Sequence, residues 1–183
     1  MADQVAGGLL SPLLRRARIR AALPHLRGRI LDVGCGTGEL AKWCETSGYW
    51  GVDIDEESLA SARAQNPRLR FSTGLPEGEI FDTIVGLAII EHVANPREWL
   101  EDLKSLLAPE GKIILTTPHL SMESIHRAGS AVGLFSRDAA DEHETLFDEA
   151  TMRDTAGLAG FRLALARRFL FRANQLFLLE PLP

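Results

Sequence analysis

The run Ile30-Leu31-Asp32-Val33-Gly34-Cys35-Gly36-Thr37-Gly38 constrains this chain more than any other segment. Its first four residues suit a buried strand, and three alternating glycines then lead into a stretch expected to be helical. A turn of this composition lacks Cβ atoms where strand meets helix, so the backbone can close on a bound small molecule. A second strand-like run, Tyr49-Trp50-Gly51-Val52, ends in Asp53. Its distance from Gly34 is roughly the 20 residues at which a βαβ unit sets a carboxylate beside the ribose hydroxyls of a nucleotide-like ligand. The combination points to an adenosine derivative.

Glycine spacing narrows the ligand further. A dinucleotide site uses G-x-G-x-x-G, with the pyrophosphate on the helix N-terminus and the third glycine allowing close packing of helix and strand. Here the spacing is G-x-G-x-G, and Asp32 stands two residues before the first glycine. A carboxylate so near the turn repels a diphosphate and attracts a cation. A ligand without phosphates and with positive charge fits better, and S-adenosylmethionine, with its sulfonium and α-amino group, has that chemistry.

Several later segments fall in a matching order. Phe81-Asp82-Thr83-Ile84-Val85 reads as a fourth strand and Ile90-Glu91-His92-Val93 follows it. Leu107-Ala108-Pro109-Glu110-Gly111-Lys112 reads as a turn before strand five, and Thr116-Thr117-Pro118-His119 as that strand's end. Glu142-His143-Glu144-Thr145-Leu146-Phe147 then leads to Ala159-Gly160-Phe161. In this order and spacing, from about Gly28 to Glu180, the chain resembles the class I S-adenosylmethionine-dependent methyltransferases. Within them it is most similar to the small-molecule branch that includes ubiquinone-biosynthesis O-methyltransferases. The resemblance implies an α/β, Rossmann-like doubly wound sheet of seven mostly parallel strands, with an antiparallel strand near the C-terminal edge.

The pattern of the chain predicts one domain over residues 1–183, with 1–26 a helical extension and 119–147 an insertion covering the substrate. A helix is expected over Pro12–Leu23, with Leu13, Leu14, Ala17 and Ala21 turned inward and the cluster Arg15, Arg16, Arg18, Arg20 forming a solvated face. A long helix is expected over Thr37–Ser47, with Leu40, Trp43 and Cys44 inward. Asp55 is the expected cap of a helix over Glu56–Gln65, stopped by Asn66-Pro67. Only about eight residues separate strand three, Leu69–Ser72, from strand four, too few for a crossover helix. A helix starting at Pro96, strand five over Lys112–Thr116, a helix over Asp148–Leu158 and strands near Arg162–Ala166 and Gln175–Leu179 complete the order.

Charge and composition exclude some partners. The formal net charge is -5, so no global positive field gathers a polyanion, and no nucleic-acid partner is expected. Asp3 precedes the first apolar stretch and the arginines follow it, the reverse of a signal peptide. No apolar run approaches the ~20 residues of a membrane span, so no membrane partner is expected. Cys35 in the loop and Cys44 beyond it read as reduced packing residues, which fits the cytoplasm.

Ligands of open parallel sheets bind beyond the strand tips, and Asp32, Gly34, Gly36, Gly38, Asp53, Leu75 and Leu87 are all expected there. By resemblance, Ile54 packs on the adenine. Many relatives carry an acidic or amide residue after strand three to meet the adenine amino group. This chain has Ser72-Thr73-Gly74-Leu75, which leaves that task to backbone groups. Relatives that use a divalent metal near strand four would need a carboxylate where this chain has Ala88, so no metal is expected. The expected reaction is direct displacement of a methyl group to an O, N or C nucleophile of a small-molecule acceptor. His143, after the acidic run Asp138, Asp141 and Glu142, is the first candidate base, and His92 the second. A non-catalytic S-adenosylmethionine-binding module and an NAD-dependent oxidoreductase are the alternatives.

Overall fold

The computed structural model describes residues 11–44, 48–119 and 147–183. Helix α1 (Ser11–Ala22) and a 3-10 turn precede strand β1 (Ile30–Val33). Then follow β2 (Tyr49–Val52), α2 (Glu56–Gln65), β3 (Arg70–Ser72) and β4 (Phe81–Leu87). After a 3-10 turn at Ile90–His92 come α3 (Pro96–Ser105), β5 (Leu107–Pro118), α4 (Glu149–Leu158), β6 (Phe161–Phe169) and β7 (Asn174–Pro181).

One seven-stranded sheet runs in the order β3-β2-β1-β4-β5-β7-β6. Pairing is parallel from β3 through β5, and β7 lies antiparallel to both β5 and β6. This is the expected doubly wound architecture. The chain steps outward from β1 to β3 and then returns to place β4 on the other side of β1. Connections therefore leave β1 and β4 in opposite directions, opening a crevice beyond their C-terminal ends.

Period-two alternation in the strands sorts the core into two layers. Leu31, Val33, Ile84, Ile113, Leu115, Phe177 and Leu179 pack with α3 and α4 on one face. Ile30, Val85, Ile114 and Leu176 pack with Ile19 and Ala22 of α1 on the other. All four residues of β1 are buried, as expected of a central parallel strand covered on both sides.

Three helices start on side-chain caps. Asp55 accepts from the backbone N–H groups of Glu57 and Ser58, Asn95 from that of Glu98 ahead of Pro96, and Asp148 from that of Thr151. The segment between β3 and β4 contains no helix. Beyond β1, the expected long helix over Thr37–Ser47 is replaced by turns and a short 3-10 helix at Leu40–Trp43, while 45–47 lie outside the described residues. The glycine loop is the cause. Gly38 has φ +77° and donates its N–H to Cys35 O at 3.0 Å, a geometry that an α-helix starting at Thr37 cannot contain. The inward face shifts accordingly: Leu40 and Ala41 are buried, Cys44 is half-buried and Trp43 is exposed.

Three further expectations are corrected. In α1 the buried side chains are Ile19, Ala21 and Ala22, while Leu13 is exposed. The arginines of this helix are not all solvated, because Arg18 is half-buried and its Nε donates to Asn174 Oδ1 of β7 at 2.9 Å. Strand β5 begins not at Lys112 but at Leu107. Leu107 pairs with Phe81 while Lys112 pairs with Thr83, so the stretch read as a turn is an irregularity inside the strand.

Gly51 is the tightest point beneath the loop. A Cβ there would stand 2.7 Å from Phe71 Cδ1 and 2.8 Å from Cys35 Sγ. Gly51→Ala is therefore expected to destabilise the fold by ~1–3 kcal/mol through overpacking, as measured by urea unfolding. A variant as stable as the parent would show that Phe71 and Cys35 yield without cost.

Candidate functional site

Two groups of polar residues line the C-terminal ends of the strands, one beyond β1 and β2 and the other beyond β4 and β5. In the first, the loop after β1 is held by Gly34 N–H and Cys35 N–H, which both donate to Val52 O, at 2.8 and 3.0 Å. Gly34 and Gly36 have φ of +74° and +52°, in the left-handed region where a side chain is strained. A Cβ built on Gly36 meets nothing within 4 Å, so the loop opens onto free space.

Asp53 locks this loop. Its Oδ2 accepts the Gly36 N–H at 2.7 Å and its Oδ1 accepts the Asp55 N–H at 3.0 Å. The neighbouring Asp55 takes the separate task of capping α2, with additional help from Ser58 Oγ at 2.6 Å. Asp53 is half-buried, and Ile54, just beyond it, is 93 % exposed. Leu75 is also exposed, past the end of β3, and Ser72 is engaged with Trp50 Nε1 at 2.8 Å and Gly74 O at 2.8 Å. Leu87, at the tip of β4, is half-buried against the α1 layer.

Asp32 lies in β1 below the loop and is buried. Its Oδ2 accepts the Tyr49 hydroxyl at 2.6 Å. Burial pushes the Asp32 carboxyl up to about 7; the Tyr49 hydrogen bond opposes this and the Asp53 charge adds to it. Among the described residues, no cationic side chain acts on it. Burial, followed by the charge of Asp32, raises the Cys44 thiol to about 12, and Cys35 is raised in the same way. Both cysteines are free, and burial favours the protonated thiol of each.

The second group surrounds Glu91, in the 3-10 turn beyond β4. Ala88 takes φ +59° at the strand end, and its N–H donates to Thr116 O at 2.8 Å. This sharp departure folds Glu91 back over the sheet, where it is 2 % exposed. Among the described residues, its Oε2 has no hydrogen-bond partner, nor do the buried hydroxyls of Thr116 and Thr117 at the end of β5. Burial raises the Glu91 carboxyl, opposed by its own backbone N–H, the Arg18 guanidinium, His92 and the nearby Thr117 hydroxyl. His92 itself is exposed. His119 follows β5; burial first, then Arg168 and Arg172, lower its pKa, against Asp148.

The chain from 120 to 146 lies outside the described residues, and His143 with it. Both ends of that stretch are fixed. His119 N–H donates to Ala173 O at 2.9 Å, and buried Gln175 donates through Nε2 to Pro118 O at 3.3 Å and Phe147 O at 2.6 Å. Among the described residues, no three His, Cys, Asp or Glu side chains converge as a metal site would require.

A family model described as a methyltransferase domain matches residues 7–166. The chain belongs to the methyltransferase-domain family. A tRNA U34 carboxymethyltransferase of Idiomarina loihiensis is 35% identical over 116 residues, covering 55% of this chain and 36% of the relative. A ubiquinone biosynthesis O-methyltransferase of Parvibaculum lavamentivorans is 34% identical over 116 residues, covering 57% and 46%. The chain thus spans less than half the length of these relatives. Magnesium protoporphyrin IX methyltransferase from Synechocystis PCC 6803, solved with bound SAH, shares the fold with a TM-score of 0.73 at 20% identity. That likeness covers 98% of this chain and 89% of the other.

In this methyltransferase domain the sequence reading missed Tyr49, Arg18 and the burial of Glu91. Tyr49 left a signal in the register. It pairs with Ile30, which shares a strand face with Asp32, and an aromatic side chain reaches such a diagonal neighbour. Arg18 and Glu91 left none, because their proximity depends on how α1 crosses the sheet.

The Asp32 environment has a consequence for stability. A carboxyl raised from 3.8 to about 7 keeps its proton in the folded state over an interval where the unfolded chain has lost it. Stability therefore falls as pH rises through that window and levels off above it. Asp32→Asn is expected to stabilise the ligand-free protein at pH 8 and to give little gain at pH 4, as checked by denaturant midpoints at both values. An equal gain at both pH values would refute the assignment. Tyr49→Phe removes a donor that favours the charged form and should move the window further up.

Proposed function

We propose that the protein is an S-adenosyl-L-methionine-dependent methyltransferase acting on a small-molecule acceptor. The observation that carries this reading is the glycine loop clasped by Asp53 above buried Asp32. The pair offers negative charge where a phosphate-bearing cofactor would be repelled, and the loop is open at Gly36 where such a cofactor would lie. S-adenosyl-L-methionine fits that arrangement, and when bound it supplies an electrophilic methyl group on a sulfonium. Asp53, at the tip of β2, turns its carboxylate from the Gly36 and Asp55 N–H groups toward the two ribose hydroxyls. Ile54 and Leu75, exposed on either side, cover the adenine, and their exposure in the ligand-free chain fits that task. Gly34, Gly36 and Gly38 bring backbone against the cofactor, and Leu87 borders its methionine end from β4. Asp32 supplies the negative charge beneath it.

The acceptor approaches from the β4–β5 side, beside His119, which follows β5, and Phe147, which precedes α4. Holding nucleophile, methyl and sulfur in line can lower the barrier by ~7–11 kcal/mol, so alignment by this pocket carries most of the rate. A net charge of -5 favours a small acceptor over the tRNA of the first relative. The free thiols fit a reducing compartment, the cytoplasm. Among the described residues no helix is long and apolar enough to cross a membrane.

Calorimetry with S-adenosyl-L-methionine and with NAD tests the cofactor. Micromolar binding of the first and no comparable binding of the second are expected, and tighter NAD binding would sink the reading. Asp53→Ala is expected to weaken cofactor binding by ~3 kcal/mol, about a hundredfold, because charge-assisted bonds to two hydroxyls are lost. The fold should persist. A screen of small acceptors that follows S-adenosylhomocysteine release separates an enzyme from a binding module, which would release none.

A further inference from the structure

The turn joining β6 to β7 is built from residues that suit its backbone poorly. Leu170, Phe171 and Arg172 have φ of +49°, +53° and +69°, and Ala173 N–H closes the turn on Leu170 O at 2.9 Å. Bulky side chains are strained in this left-handed region, where turns ordinarily take glycine or asparagine. Packing does not offset the strain, because Phe171 is 101 % exposed. A large apolar side chain thus stands at the tip of a hairpin where the fold itself would be better served by a small polar one.

Positive charge gathers at the same place. No carboxylate occurs between Asp154 and Glu180, although the whole chain carries a net charge of -5. Within that interval Arg162 pairs with Glu180, while Arg167, Arg168 and Arg172 are exposed at the end of β6 and on the turn. Arg168 and Arg172 are close enough to His119 for both charges to act on it, opposed there by Asp148. The hairpin therefore presents a bare aromatic ring among guanidinium groups.

The tip lies on the functional edge of the sheet. Asn174, the first residue of β7, pairs with Pro118 at the end of β5, and His119 N–H donates to Ala173 O. Strand β5 runs parallel to β4, and β4 to β1, so the turn stands on the same edge as the glycine loop and Asp53.

We propose that this hairpin docks the protein on an anionic phospholipid surface, with Phe171 entering the interface and Arg167, Arg168 and Arg172 facing the headgroup phosphates. An apolar ring with no polar handle gains by leaving water for the acyl boundary, and the guanidinium groups add attraction that falls off within a Debye length. One ring and three guanidinium groups give a reversible contact rather than a permanent anchor. A bilayer fits the charge distribution better than nucleic acid does. It meets the hairpin alone, whereas an extended polyanion would run on over the net-negative remainder of the surface. The expectation of no membrane partner rested on the lack of a spanning segment, and docking by a loop tip requires none. The contact turns the crevice edge of the sheet toward the lipid. It involves no cofactor, so it stands or falls independently of the methyltransferase reading.

Co-sedimentation of the full chain with vesicles tests the docking. The protein should pellet with vesicles of phosphatidylcholine and phosphatidylglycerol in equal parts, stay in solution with phosphatidylcholine alone, and leave the mixed vesicles as salt rises. Phe171→Asn should lower partitioning by about tenfold. Because asparagine tolerates the left-handed region, the urea midpoint of this variant should equal or exceed the parent's, which separates docking from a structural role. Arg168→Gln combined with Arg172→Gln should also lower partitioning by about tenfold. In Phe171→Trp the emission should shift to the blue on mixed vesicles, beyond any shift of Trp43, Trp50 and Trp99 in the parent, and lipid brominated on its acyl chains should quench it.

No pelleting, equal pelleting on both vesicle types, or a Phe171→Asn variant that partitions like the parent overturns the proposal. A Phe171→Asn variant that loses stability along with binding overturns it too, since the ring is then part of the fold. Binding of a single-stranded RNA oligomer, or a concentration-dependent dimer abolished by Phe171→Asn, in place of vesicle binding assigns the tip to another partner and overturns the proposal as well.

Discussion

Strand β1 is the constraint on which the rest of the molecule depends. Its four residues are buried on both faces and pair in parallel with β2 on one side and β4 on the other. Because the chain leaves β1 toward β2 and only later returns to β4, the loops beyond these two tips diverge. The crevice between them is a product of topology, and any residue at a strand tip inherits a place beside it. Asp53 and Glu91 take their positions in this way, from strands on opposite sides of β1.

Three carboxyl groups near these tips show how environment divides similar chemistry. Asp53 is half-buried and already holds two backbone N–H groups, so its charge comes prepared for donors. Asp32 is buried with a phenolic donor and, among the described residues, no cation acting on it, and burial pushes its carboxyl up to about 7. Glu91 is buried with one oxygen unmet among the described residues, and Arg18 and His92 lend it positive charge. The first suits a hydroxyl-bearing ligand and the second a cation. Desolvation separates them more than residue type does.

Helix α1 and strand β7 meet outside the βαβ core. Arg18 and Asn174 join the two by a hydrogen bond, and α1 lays Ile19 and Ala22 on the face that carries Ile114 and Leu176. Gln175, the next residue on β7, holds the carbonyls of Pro118 and Phe147. One antiparallel strand near the sheet edge thus anchors both the helix that carries Arg18 and the backbone at Pro118 and Phe147.

The glycine loop, Asp53, the Asp55 cap, the strand order and the missing crossover helix before β4 were legible in the sequence. Each depends on residues close together along the chain, where backbone sterics and local hydrogen bonding leave few choices. Where local rules conflicted, the reading failed: left-handed Gly38 cancelled the helix predicted over Thr37–Ser47, and Trp43 turned outward as a result. What only the tertiary structure decided is the company kept by distant side chains. Tyr49 on Asp32, Arg18 near Glu91 and on Asn174, and the two carbonyls on Gln175 all join separate elements. Their contacts follow from how helices cross the sheet and how strands register, distances that sequence periodicity does not encode. Local pattern determined that this chain builds a cofactor loop on a doubly wound sheet, and long-range packing determined which buried charges stand beside it.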